Sequence, residues 1–164
     1  MNYHNITHCD MLNGSGIRVV LWVSGCTHQC KNCQNPITWD INGGIPFDNN
    51  AYQEIINELN QDYCSGFTIS GGDPMHPANR EHVYAICNKI KTAFPEKNIW
   101  MYTGYQFEEI KDEPVLSFID VLVDGQYIEN LRDVEIHWAG STNQRIIDVQ
   151  QTLQQDEIIQ YKIN

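Results

Sequence analysis

Four short apolar runs, Ile17–Val23, Phe67–Ser70, Ile99–Tyr102 and Ile119–Asp124, alternate along this chain with stretches of helical periodicity. Continuous rather than alternating apolarity predicts strands buried on both faces, as in a parallel sheet. Asp48 or Asn49 is placed to cap a helix that presents Tyr52, Ile55, Ile56 and Leu59 on one face. Pro77 precedes a longer helix carrying Val83, Ile86, Ile90 and Phe94, and a short one with Phe107 and Ile110 ends before Pro114. Strands alternating with helices imply right-handed βαβ units, hence an α/β fold with a parallel sheet that is either open or a partial barrel. At 164 residues, with no repeat or linker, the chain reads as one domain over residues 1–147. The Gln-rich segment 148–164 reads as a tail or an added helix.

In folds of this kind the chemistry sits beyond the carboxyl ends of the strands. The first run is followed by Ser24-Gly25-Cys26-Thr27-His28-Gln29-Cys30-Lys31-Asn32-Cys33 and the second by Gly71-Gly72-Asp73-Pro74. Thr103-Gly104-Tyr105 follows the third and Asp124-Gly125 the fourth. All the unusual polar and glycine-rich elements therefore fall on one edge of the expected sheet.

Cys26, Cys30 and Cys33 bring three thiols together on one short loop. A [4Fe–4S] cluster is held by cysteine thiolates, usually four, so a loop with three leaves one iron open to a small chelating molecule. The same spacing permits structural zinc completed by His28, His8 or Cys9, and Cys9 as a fourth cluster ligand. A disulfide framework fits poorly, because a local trio leaves one thiol unpaired. Cys64 and Cys87 read as small buried residues. In the glycine-rich turn, Gly71 and Gly72 allow the backbone to approach a ligand closely, and Asp73 offers a carboxylate to a charged amine. Alone, this could be a plain turn; beside the cysteine loop it reads as a binding element.

A net charge of −11 disfavours a nucleic-acid partner, since no basic cluster offsets it. The longest apolar run, Val19–Val23, is too short to cross a bilayer. The first residues show neither a basic start nor an apolar signal region, so a cytoplasmic protein without membrane contact is expected.

Taken with Asn13-Gly14-Ser15-Gly16-Ile17-Arg18, Ser70–Pro77, Ile99–Tyr105, Val121–Gly125 and Gly140–Arg145, these motifs resemble those of the radical S-adenosylmethionine enzymes. The closer resemblance is to the activating proteins of anaerobic (class III) ribonucleoside-triphosphate reductase, and it covers the chain to about Ile147. It implies an open, partial (βα) TIM-like barrel of the radical S-adenosylmethionine type. It implies that Cys26, Cys30 and Cys33 ligate a [4Fe–4S] cluster. S-adenosylmethionine would lie against Asn32, Cys33, Gln34, Gly71, Gly72, Asp73 and Thr103, with Gly72 and Asp73 at its amino end. A flavodoxin-type donor would reduce the cluster, and the cofactor would be cleaved to methionine and a 5′-deoxyadenosyl radical. That radical would take hydrogen from a glycine of the reductase, leaving a stored glycyl radical. No catalytic residue beyond cluster and cofactor is implied. The chain departs from the family pattern at Asn32, Gln34, Ser15 and Ala139. The competing readings are an activase for another glycyl-radical enzyme and a non-catalytic zinc or iron–sulfur module.

Overall fold

The computed structural model describes residues 1–162. In chain order its strands are β1 (Asn2–Asp10), β2 (Ile17–Val23), β3 (Ile45–Pro46), β4 (Cys64–Gly71), β5 (Asn98–Tyr102), β6 (Val121–Asp124) and β7 (Arg145–Asp148). They form one open sheet in the order β3-β1-β2-β4-β5-β6-β7. The helices are α1 (Asn49–Leu59), α2 (Arg80–Ala93), α3 (Phe107–Ile110) and α4 (Val149–Gln155).

The four apolar runs become β2, β4, β5 and β6, which are neighbours and parallel. The sheet as a whole, however, is mixed, which corrects the expected parallel sheet. β1 runs antiparallel to β2, with Tyr3 opposite Val23 and Thr7 opposite Val20. β3 is antiparallel to β1, and β7 to β6. The loop between β1 and β2 is too short for a crossover, so those two strands can pair only in the antiparallel sense.

Alternation along each strand separates two faces. Val19, Leu21, Val23, Phe67, Ile69, Ile99, Met101 and Leu122 join Ile55 and Leu59 of α1 and Val83, Ile86 and Ile90 of α2 in the main core. The expected Asp48 cap is present, its side chain accepting from Ala51 N at 2.9 Å. The opposite, inner face carries Arg18, Trp22, Thr68, Ser70, Trp100 and Tyr102. A second cluster builds there from Trp100, Val121 and Val123 with Trp138, Ile146 and Tyr161. The parallel strands are thus buried on both faces, but the inner one is partly polar.

Of the segment expected as a tail or added helix, β7 leads directly into α4, where Val149 and Thr152 are buried. Ile158 packs on the main core; residues 163 and 164 lie outside the described part. Among the described residues no helix is long and apolar enough to cross a membrane.

His8 of β1 ties that strand to α1, with Nε2 2.7 Å from Glu54 and Nδ1 3.1 Å from Glu58. The Glu54 and Glu58 hydrogen bonds hold the His8 pKa above its ordinary 6.5. Burial pushes Glu58 up, but hydrogen bonds from His8, Tyr63 and Cys9 outweigh it and leave a net lowering. The His8 contribution is complete below pH 6.5 and fades as pH rises through the elevated value. That of Glu58 is complete above its ordinary 4.5 and fades as pH falls through the lowered one. His8→Ala is therefore expected to destabilise most between pH 4.5 and 6.5. The loss is about 0.5 kcal/mol, because the imidazole is 43% exposed and screened. Urea titrations at pH 5.5 and pH 9 test it: an equal loss at both would mean that the ion pairs contribute nothing.

Candidate functional site

β2 delivers the chain to the carboxyl edge of the parallel strands, and the cysteine loop is fastened there at its root. Gly25 N donates to Thr38 O at 2.8 Å and Cys26 N to Trp39 O at 3.1 Å. From the turn after β4, Gly72 N donates to Val23 O at 2.8 Å and Asp73 N to Gly25 O at 2.7 Å. The two turns meet backbone to backbone, and a Cβ on Gly72 would stand 2.5 Å from Gly25 O. Only glycine fits such an approach without displacing one of them. Asn79 completes the joint, its Nδ2 donating to Ser24 O at 2.8 Å and Asp73 O at 3.1 Å.

Cys26, Cys30 and Cys33 are free thiols and part-exposed. Cys33 Sγ accepts from Asn35 N at 3.4 Å. Burial pushes the Cys26 and Cys30 thiols up, with negative charge from Asp73 adding to it. The backbone N–H groups of His28 and Gln29 at Cys26, and of Tyr127 at Cys30, act in the opposite direction. Bound iron deprotonates coordinating thiols outright, and backbone donors toward sulfur suit the resulting thiolates. Among the described residues no three His, Cys, Asp or Glu side chains close on a single point as one metal ion requires. In a four-iron cluster each thiolate bonds its own iron, so three thiols spaced along a loop still fit that group.

The loop forms one wall of a cleft of about 710 Å³ that continues over the inner face of the sheet. Cys26, Cys30, Cys33, Gln34, Gly71, Gly72, Asp73 and Thr103 all line it. Asn32 does not; it is exposed, holds a left-handed φ of 57° and lies beside Glu129. The cleft also recruits Trp22, Tyr102 and Gly104, together with Met11, Leu12 and Trp138. From sequence Trp22 and Trp138 read as core or interface aromatics and Tyr102 only as part of a strand, although strand alternation from the buried Leu21 and Met101 turns Trp22 and Tyr102 to this face.

Asp73 is 1% exposed. Its Oδ1 accepts from Met75 N and Thr103 Oγ1, both at 2.8 Å, and its Oδ2 from Gly104 N at 2.9 Å. Most of the carboxylate's bonding capacity is therefore used in joining the turn after β4 to the turn after β5. Asp124, at the end of β6, is equally occupied, accepting from Arg145 Nε at 3.0 Å and Phe107 N at 2.8 Å. Gly125 follows it into the cleft lining.

Residues 12–147 match the family model of the 4Fe-4S single cluster domain. Three curated relatives are named anaerobic ribonucleoside-triphosphate reductase-activating protein. That of Enterobacteria phage T4 is 45% identical over 146 residues, 89% of this chain and 93% of the relative. Those of Vibrio cholerae and Escherichia coli K12 are 43% and 41% identical, covering 89% and 88% of this chain and 97% and 96% of the relatives.

Proposed function

The chain belongs to the family of anaerobic ribonucleoside-triphosphate reductase-activating proteins, and we propose that it arms such a reductase with a glycyl radical through S-adenosylmethionine bound beside a [4Fe–4S] cluster. The observation that carries this reading is the convergence of three free thiols and the Gly71-Gly72-Asp73 turn on one cleft. When bound, the cluster supplies an electron and S-adenosylmethionine the carbon radical that removes hydrogen from a glycine.

The chain's own residues bind, orient and shield. Cys26, Cys30 and Cys33 would hold the cluster, and as three ligands rather than the usual four they would leave a position for the cofactor. Gln34, Gly71, Gly72 and Thr103 line the space beside them, and Asp73 fixes the two turns that border it. Asn32 acts from outside the cleft, by shaping the loop before the third cysteine. The sheet is the open wall of a partial barrel, its inner face forming the cleft floor. Met11 and Leu12, 68% and 81% exposed in the cleft lining, are apolar surface for the docked reductase to cover. The electron comes from a flavodoxin-type donor. One domain over residues 1–147, extended by the segment after it, carries all of this.

The test is anaerobic reconstitution with iron and sulfide, reduction, and addition of S-adenosylmethionine and an anaerobic reductase, followed by EPR. A glycyl-radical doublet is expected. Cofactor cleavage without the doublet would assign a different target, and a protein that takes up zinc but assembles no cluster would overturn the scheme.

A further inference from the structure

His28, inside the cysteine loop, touches every other turn at the carboxyl edge. Its Nε2 lies 2.9 Å from Asp73 Oδ2, without the alignment of a hydrogen bond, and is sealed from solvent. Its Nδ1 meets the Gln126 side-chain amide at 2.6 Å. Its ring packs edge-on against Tyr105, with centroids 4.7 Å apart. Gly104 leaves it room, since a Cβ there would stand 2.4 Å from the imidazole Cδ2. The ring is only 13% exposed. One side chain thus joins the cysteine loop to the turns after β4, β5 and β6.

We propose that His28 is a positioning residue that sets the cysteine loop against Asp73, and so fixes the distance between the cluster and the bound S-adenosylmethionine. This rests on the cofactor reading above. His28 lines the cleft, but Nδ1 is engaged by Gln126 and Nε2 is sealed against Asp73, so the imidazole acts through what it holds. Donation from the Gln126 amide to Nδ1 leaves the neutral ring's proton on Nε2, beside the Asp73 carboxylate. Asp73 in turn holds Thr103 and Gly104, so a slack His28 would loosen both borders of the cofactor space together. Outer contacts of this type commonly alter affinity at metal sites by about tenfold to a hundredfold.

The experiment uses the full chain, reconstituted anaerobically, as wild type, His28→Ala and His28→Gln. Iron content, S-adenosylmethionine affinity by equilibrium dialysis and the EPR spectrum of the reduced cluster with and without cofactor are measured. His28→Ala is expected to keep its iron but bind S-adenosylmethionine about tenfold to a hundredfold more weakly, with a smaller change in the EPR signal on adding it. His28→Gln, whose amide reaches toward Asp73, should recover much of the loss. Wild-type affinity and signal in His28→Ala would overturn the proposal. If His28→Ala loses its cluster, the decision passes to His28→Leu, which fills the space without a polar tip, Asp73→Asn and their double variant. Coupled effects on affinity support the bridge and additive ones overturn it. Failure of the wild type to bind S-adenosylmethionine would instead sink the cofactor reading.

Discussion

Cys30→Ala is expected to leave a folded chain that cannot hold its cluster. Iron should fall from about four atoms per chain to near zero, the visible absorption of the cluster should vanish, and the yield of glycyl radical on a reductase should drop by at least about a hundredfold. Two thiols remain in such a variant, fewer than a four-iron cluster needs, and the neighbouring His28 is no substitute, being held by Gln126 on one side and sealed on the other. The fold should survive, because Cys30 is part-exposed on a loop whose root is fixed elsewhere by Thr38, Trp39, Gly72 and Asp73. Thermal unfolding of the iron-free proteins is the control, with a change below about 1 kcal/mol expected for a part-exposed position. A full complement of iron in Cys30→Ala would mean that the ligands are misassigned.

The second large effect falls on stability rather than chemistry. Arg18→Met is expected to cost about 3–5 kcal/mol, seen as a fall of roughly 10 °C in the unfolding midpoint. Arg18 is completely buried on the inner face of β2. It donates to Thr68 Oγ1, Asn98 Oδ1 and Phe67 O, each at 2.6 Å, to Ser15 O at 3.0 Å and to Asn98 O at 3.2 Å. Burial lowers its pKa to about 10, still high enough to keep it charged at neutral pH. Its guanidinium also lies 5.4 Å from the Trp100 ring centroid. Methionine would fill most of the space but leave several buried acceptors without donors, and each such orphan costs about 1–3 kcal/mol. The Thr68 hydroxyl also donates to Asn13 O at 2.7 Å, so the loop that borders the cleft should loosen with the loss of Arg18. A shift below about 2 °C would show that water replaces the guanidinium without penalty.

Much of the frame can be read directly from local pattern. Ile17–Val23 coincides with β2, Phe67–Ser70 and Ile99–Tyr102 fall within β4 and β5, and Ile119–Asp124 contains β6. Their apolar, β-branched composition is what interior parallel strands need on their buried faces. Asp48 is legible as a cap because its short side chain reaches the first-turn amide of Ala51, which has no partner within the helix. β1 and β7 escape such reading. Asn2–Asp10 is mostly polar and buries only Tyr3 and Ile6, while Arg145–Asp148 is four residues long. Both join through backbone hydrogen bonds to strands already in place, and that pairing needs no signature of its own. The α2 start also lies later than Pro77 suggests, because Asn79 holds the intervening turn to Ser24 and Asp73.

By itself the sequence determined which residues bear the chemistry and that they share one edge. Cys26, Cys30 and Cys33 stand four and three positions apart in one loop, and the glycine-rich turn follows the next parallel strand. Covalent spacing and strand direction suffice for both. Only the tertiary structure decided what those residues have left to offer. Asp73, in sequence a free carboxylate, lies beneath Thr103, Gly104 and Met75, and its hydrogen-bonding capacity is largely used there. His28, in sequence an optional metal ligand, became the link among four turns. Hydrogen-bond saturation and burial depend on partners from distant segments, and no local pattern of residues encodes them.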